Sequence, residues 1–119
     1  MFDQRIEEQL RRCPPGTREA LVAFREKGDE KDLEIFARGI LARAMEDEYL
    51  PVLEQGDGNL HIVNDLGIDS LSMAEIAMNL EDALDVELLD EDLKNLQTLN
   101  DVKTYLLQRY AARKTDTSV

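Results

Sequence analysis

The sequence predicts an all-α protein. Three observations carry that expectation: apolar residues recur every three or four positions, β-branched alternation is scarce, and Gly, Pro and Asp stand where helices would start or stop. With 119 residues, 43% of them hydrophobic, the chain has the material for one core. No internal repeat or low-complexity run interrupts it.

Phe2, Ile6 and Leu10 recur at intervals of four and predict a short amphipathic helix stopped by Pro14-Pro15. A second helix starts near Thr17, buries Ala20, Leu21 and Phe24, and stops at Gly28. Asp32 is the expected cap of a longer third helix, with the stripe Leu33, Phe36, Ala37, Ile40, Leu41, Ala44 and Met45 and with Pro51 beyond its end. Residues 51–69, holding Gly56, Gly58, Asn59, Asn64 and Gly67, predict a long ordered loop. Loops of that length are often functional. A helix over Ser70–Leu84 follows, then a short helical turn over residues 90–95. Thr98 and Asp101 have capping-box spacing and open a last helix that buries Val102, Tyr105 and Leu106. Residues 113–119 are polar and read as a flexible tail.

The single cysteine, Cys13, can form neither an intrachain disulfide nor a cysteine-based metal site, which fits a reducing compartment. No apolar run has membrane-spanning length, and residues 1–10 carry Asp3, Arg5, Glu7 and Glu8 where a signal peptide would be apolar. The expected location is the cytoplasm. A net charge of −12 argues against nucleic acid as a partner. That charge is uneven: six basic and seven acidic residues share positions 1–30, whereas fifteen acids and no Lys or Arg lie between Arg43 and Lys94. Such a stretch is either solubilising surface or a recognition surface for a basic partner.

At 100° per residue, Met73, Ile76, Ala77, Leu80, Ala83 and Leu84 share one side of the helix over residues 71–84 and are expected to face the core. The opposite side carries Leu71, Ala74 and Met78, flanked by Glu75, Asp82 and Asp85. Apolar anchors inside an acidic rim make a transient docking surface, and Met adapts to partners of different shape. Scattered exposed apolar residues without a role are the bland alternative. Ser70 lies at or next to the N-cap. It is either a capping serine or a modified one, since the unpaired N–H donors and positive dipole end of a helix tolerate a phosphate ester there.

Over residues 61–106 the chain resembles an acyl carrier protein. The segment Asp65-Leu66-Gly67-Ile68-Asp69-Ser70-Leu71 is similar to that family's phosphopantetheine attachment motif. Glu75, Met78, Glu81 and Asp82 match its acidic recognition helix, and no insertion or deletion is needed from Asp65 through Leu106. Ser72 stands where the family usually has an acid, and Ala74 where a larger aliphatic residue is common. The resemblance implies an acyl-carrier-like four-helix bundle, three helices long and one short, with one or two extra N-terminal helices. Residues 1–30 would be the extension, 31–112 the carrier domain and 113–119 the tail.

The resemblance also implies a covalent 4′-phosphopantetheine on Ser70, between Asp69 and Leu71, placed there from coenzyme A by a phosphopantetheinyl transferase. Acyl groups would travel as thioesters on its terminal thiol to ketosynthases, acyltransferases and other acyl-processing enzymes with basic docking patches. Leu71, Ala74, Glu75, Met78, Glu81 and Asp82 would meet those partners. The protein would then be a monomeric carrier, not an enzyme, serving fatty acid, polyketide or related lipid biosynthesis. A peptidyl or aminoacyl carrier is the nearer alternative.

An enzymatic reading needs a base, and the only histidine, His61, lies nine residues before Ser70 with no evident orienting carboxylate. A rival of another class is an acidic helical interaction or metal-sensor module without a prosthetic group. Its best calcium loop would start at Asp57, but Ile62 occupies the sixth position, which requires Gly, and Ile68 the twelfth, which requires Glu. No metal site is expected. The extension is expected to lay its apolar sides on the first carrier helix, with a partner or a second copy of the chain as the alternatives. Met73, Ile76, Ala77 and Leu80 either part to shelter an acyl chain or form a packed core.

Overall fold

Short polar side chains and glycines set where the helices begin and end. In the computed structural model, which describes residues 2–117, the elements are α1 Gln4–Arg11, α2 Thr17–Lys27, α3 Glu30–Ala44, α4 Leu50–Gln55, α5 Ser70–Leu84, α6 Asp90–Leu93 and α7 Leu99–Thr117. A 3₁₀ turn at Asp47–Tyr49 leads into α4, and no strand occurs among the described residues. The all-α expectation holds.

Asp3 opens α1 by accepting the Ile6 N–H at 2.9 Å, and α2 runs from Thr17 to its expected stop at Gly28. The third helix starts earlier than Asp32 would have it. Asp29 is the cap, accepting the Lys31 N–H at 3.0 Å, and Asp32 falls in the first turn, where a carboxylate still suits the dipole. Thr98 and Asp101 form the reciprocal cap of α7: Asp101 accepts the Thr98 N–H at 3.0 Å, and Thr98 Oγ1 accepts the Asp101 N–H at 3.2 Å. α7 continues to Thr117, past the point where the sequence suggests a tail. Residues 118–119 of that tail lie outside the described residues.

A second departure falls in the segment read as a loop. Pro51 stands beyond the end of α3, as expected, but it also opens a further helix, in the first turn, where its fixed φ and missing N–H are tolerated. Only Leu53 of α4 is buried, and its last turn is held from outside: Arg38 on α3 donates to Leu53 O at 2.8 Å and to Gly56 O at 3.1 Å. The true loop is therefore residues 56–69.

α3 is the central element, touching α2, α5 and α7. Its Leu33, Phe36, Ala37, Ile40, Leu41 and the following Met45 are buried, while Ala44 is only half-buried. α2 brings Leu21 and Phe24 onto it, α5 brings Ile76, Ala77 and Leu80, and α7 brings Val102 and Leu106. The Phe24 ring also meets Tyr110 of α7 at 4.9 Å between centroids. Met73 and Tyr105, both expected inside, are half-buried. Gly39 stands at a close approach, because a Cβ there would collide with the buried Thr17, whose Oγ1 donates to Pro14 O at 2.8 Å. The missing side chain lets the start of α2 press against α3.

The residues ahead of α3 thus pack onto it, as the apolar stripes suggest, through α2. α1 goes elsewhere and lies against α5.

Candidate functional site

The site is assembled from the loop of residues 56–69 and the helix it feeds. Ile62, Leu66 and Ile68 of the loop are buried. Its backbone is tied to the start of α7: Ile62 N–H donates to Gln97 O at 2.8 Å, Leu99 N–H to Leu60 O at 3.0 Å and Asn100 N–H to Gly58 O at 2.8 Å. A second set of bonds closes the loop on itself, with Ile68 N–H reaching Ile62 O and Gly67 N–H reaching Val63 O. Loop backbone that would otherwise be mobile is thereby fixed.

Gly67 sits at φ +67°, a left-handed conformation that favours glycine, and a Cβ there would run into the Tyr49 ring. The ring of the 3₁₀ turn thus presses on the backbone three residues ahead of Ser70. Tyr49 is a positioning residue that sequence reading misses. Gly67 signals a close approach, but nothing in the pattern says that the approaching group lies eighteen residues earlier.

Ser70 is the first residue of α5 and is exposed. It is not the capping serine: Asp69 is the N-cap and accepts the Ser72 N–H at 2.8 Å. That N–H holds the Asp69 carboxyl below the usual carboxylate range, so the group is charged at neutral pH. Leu71, next along, is 72% exposed and Met78 63%, large apolar side chains standing in water with exposed Ala74 and Glu75 between them. The expected two-faced helix is present, since Ile76, Ala77, Leu80, Ala83 and Leu84 are buried on the other side.

The two acids nearest the helix end have company of their own. Glu81 is half-buried and its Oε2 accepts the Leu88 N–H at 3.0 Å, closing the turn after α5. Asp82 pairs with Arg5 of α1 at 3.2 Å. The structure thus brings Leu71, Ala74, Glu75 and Met78 into one open patch, ties Glu81 into the chain reversal, and gives Asp82 an internal counter-ion. Nothing in the sequence pattern gives Arg5 a role.

His61 is occupied within the loop. Its Nδ1 accepts the Asn64 backbone N–H at 3.1 Å, and the His61 backbone N–H donates to Asp65 Oδ2 at 2.7 Å. Cys13 is half-buried at the end of α1, its thiol pKa pushed up by burial despite the opposing charge of Arg43. Among the described residues, no three His, Cys, Asp or Glu side chains are grouped to hold a metal ion, and no helix is long and apolar enough to cross a membrane.

The exposed hydroxyl suits a phosphodiester: it projects from the positive end of a four-turn helix, beside first-turn N–H groups, and no packed side chains wall it in. Comparison with known proteins agrees. Residues 40–106 match the family described as phosphopantetheine attachment site. The chain is 46% identical over 52 residues to an acyl carrier protein of Syntrophobacter fumaroxidans, covering 44% of this chain and 64% of that one. It is 49% identical over 47 residues to an acyl carrier protein of Syntrophus aciditrophicus, 40% of this chain and 59% of that one. With a meromycolate extension acyl carrier protein of Mycobacterium leprae it shares 57% over 44 residues, 37% of this chain and 38% of the other. The chain therefore spans less than two thirds of the length of these curated relatives.

Proposed function

Given that this chain belongs to the phosphopantetheine attachment family, we propose that it is an acyl carrier protein whose prosthetic arm is attached to Ser70, and that it is not itself an enzyme. The observation that carries this reading is the exposed hydroxyl of Ser70 at the start of α5, inside the matched segment, with Asp69 rather than Ser70 capping the helix. When bound, the arm supplies a thiol on which acyl groups are held as thioesters. The chain's own residues do the rest. Asp69 fixes the first turn, the buried Leu66 and Ile68 hold the loop, and Tyr49 against Gly67 sets the direction from which the chain enters the helix.

Leu71, Ala74, Glu75 and Met78 form the face on which a phosphopantetheinyl transferase, and then ketosynthases, acyltransferases and related enzymes, dock. Apolar anchors in an acidic rim give brief, charge-steered encounters, as a shuttle requires. Residues 31–112 act as the carrier domain and residues 1–30 as an addition to it. The acidic helix favours fatty-acyl or polyketide cargo over aminoacyl cargo, in a cytoplasmic monomer.

Incubation with coenzyme A and a promiscuous transferase tests the reading by intact mass. One phosphopantetheine should be gained by the wild type and none by Ser70→Ala. A wild type that gains nothing, or a Ser70→Ala protein that still gains one, overturns it.

A further inference from the structure

The Arg5 to Asp82 contact lies where a partner would be expected to reach. Counting 100° per residue, Leu71, Glu75, Met78 and Asp82 fall within about 60° of one another, so the exposed apolar patch and Asp82 belong to one continuous stripe down α5. At the lower end of that stripe the cation is already present, and it comes from the chain itself: Arg5 lies 3.2 Å from Asp82, with the two side chains 67% and 36% exposed. Both groups are open to exchange with solvent or with another protein.

The seat of α1 is built to be left. Of its side chains only Leu10 is buried; Ile6 is half-buried. Between α1, α3 and α5 lies a cavity of ≈ 10 Å³ lined by Ile6, Gln9, Leu10, Ile40, Asn79 and Ala83 among others. Among the described residues no donor reaches the buried Oε1 of Gln9. Gly16 and Pro14-Pro15 separate α1 from the firmly packed α2, and Leu10 is the one fully buried core side chain that α1 takes with it when it lifts.

We propose that α1 is a resident competitor for the recognition helix. Arg5 holds Asp82 in the free protein, and a partner with a basic docking face displaces it, supplying its own arginine or lysine to Asp82 while it covers Leu71 and Met78. The proposal deepens the carrier reading and rests on it. A competitor that must leave reduces apparent affinity by the fraction of time it is docked, and an exposed ion pair of this kind corresponds to roughly a two- to fivefold effect.

The test is a double-mutant cycle on the full chain, reading kcat/KM of Ser70 loading by a promiscuous phosphopantetheinyl transferase at low salt. Arg5→Ala should raise kcat/KM roughly two- to fivefold. Asp82→Asn removes the partner's contact together with the resident pair, so in the Asp82→Asn background Arg5→Ala should bring no further gain. Amide hydrogen exchange supplies an independent readout: with unloaded protein and excess transferase, the amides of residues 7–12 should lose protection while those of α5 gain it. Additive effects of the two substitutions, or α1 amides that keep or increase their protection in the complex, would overturn the proposal. Absence of loading in every variant, wild type included, would instead sink the carrier reading on which it stands.

Discussion

α1 and α2 are neighbours in sequence and both lie outside the segment that matches the family, yet they hold to the same body by different means. α2 inserts: Leu21 is fully buried, Phe24 is 1% exposed and packs at a tilt against the Tyr110 ring, and Thr17 fills the notch left by Gly39. α1 leans: one side chain is buried, and its ion pairs, Arg5 with Asp82 and Glu7 with Arg18 of α2, are partly exposed. The phenylalanines make the contrast sharper. Phe24 sits in the core, whereas Phe2 is half-buried under the guanidinium groups of Arg18 and Arg25, at 5.7 and 5.4 Å from its centroid. Hydrophobic burial scales with area removed from water, so the first helix is tethered and the second is structural.

The largest test of that contrast is truncation on each side of it. Phe24→Ala should cost about 3–5 kcal/mol in urea unfolding, and Ile6→Ala about 1 kcal/mol; equal losses would erase the distinction. Next comes the notch. Gly39→Ala forces a Cβ into Thr17 and should cost about 1–3 kcal/mol, part of which the double variant with Thr17→Ala should restore. Failure of that rescue would mean that α2 is not held by this fit.

A smaller effect is expected at α6, which depends on one hydroxyl. Tyr105 accepts the Leu89 N–H at 3.0 Å and donates to Asp92 at 2.8 Å. Burial pushes its pKa above 10.0; Asp92 adds to that rise, and the Leu89 N–H opposes it. A raised pKa favours the protonated form in the fold. Its contribution is therefore full below pH 10.0 and lost as pH climbs through the raised value. Amide exchange of α6 should accelerate there, and Tyr105→Phe should cost about 1 kcal/mol at neutral pH. Smallest of all, Arg5→Ala should change global stability by less than about 1 kcal/mol while speeding exchange in α1. A larger global loss would put α1 on the same footing as α2.

The sequence was most legible where local chemistry alone decides. α5 runs over the expected Ser70–Leu84 because Asp69 can cap only one start and the chain reverses at Asp85, in the left-handed conformation. Thr98 with Asp101 was readable for the same reason. The start of α3 was not: Asp29 and Asp32 lie three residues apart, and either one keeps Leu33 and Phe36 on the buried stripe. α4 was missed because its six residues contribute a single buried side chain, and the bonds that stabilise its last turn come from Arg38 on another helix. At the site, the place of Ser70 at the start of α5 and the outward face of Leu71, Ala74 and Met78 were readable from spacing. Tyr49 and Arg5 did not, since each acts on a segment far away in the chain.

One sulfur sits where the tethered and the structural helix join. Cys13 Sγ donates to Gln9 O at 3.4 Å, so it closes the last turn of α1 just ahead of the two prolines. Burial keeps this thiol protonated and slow to react. With no second cysteine in the chain, its alkylation by a mild reagent becomes a chemical clock for the hinge, ticking faster whenever something pries the joint apart.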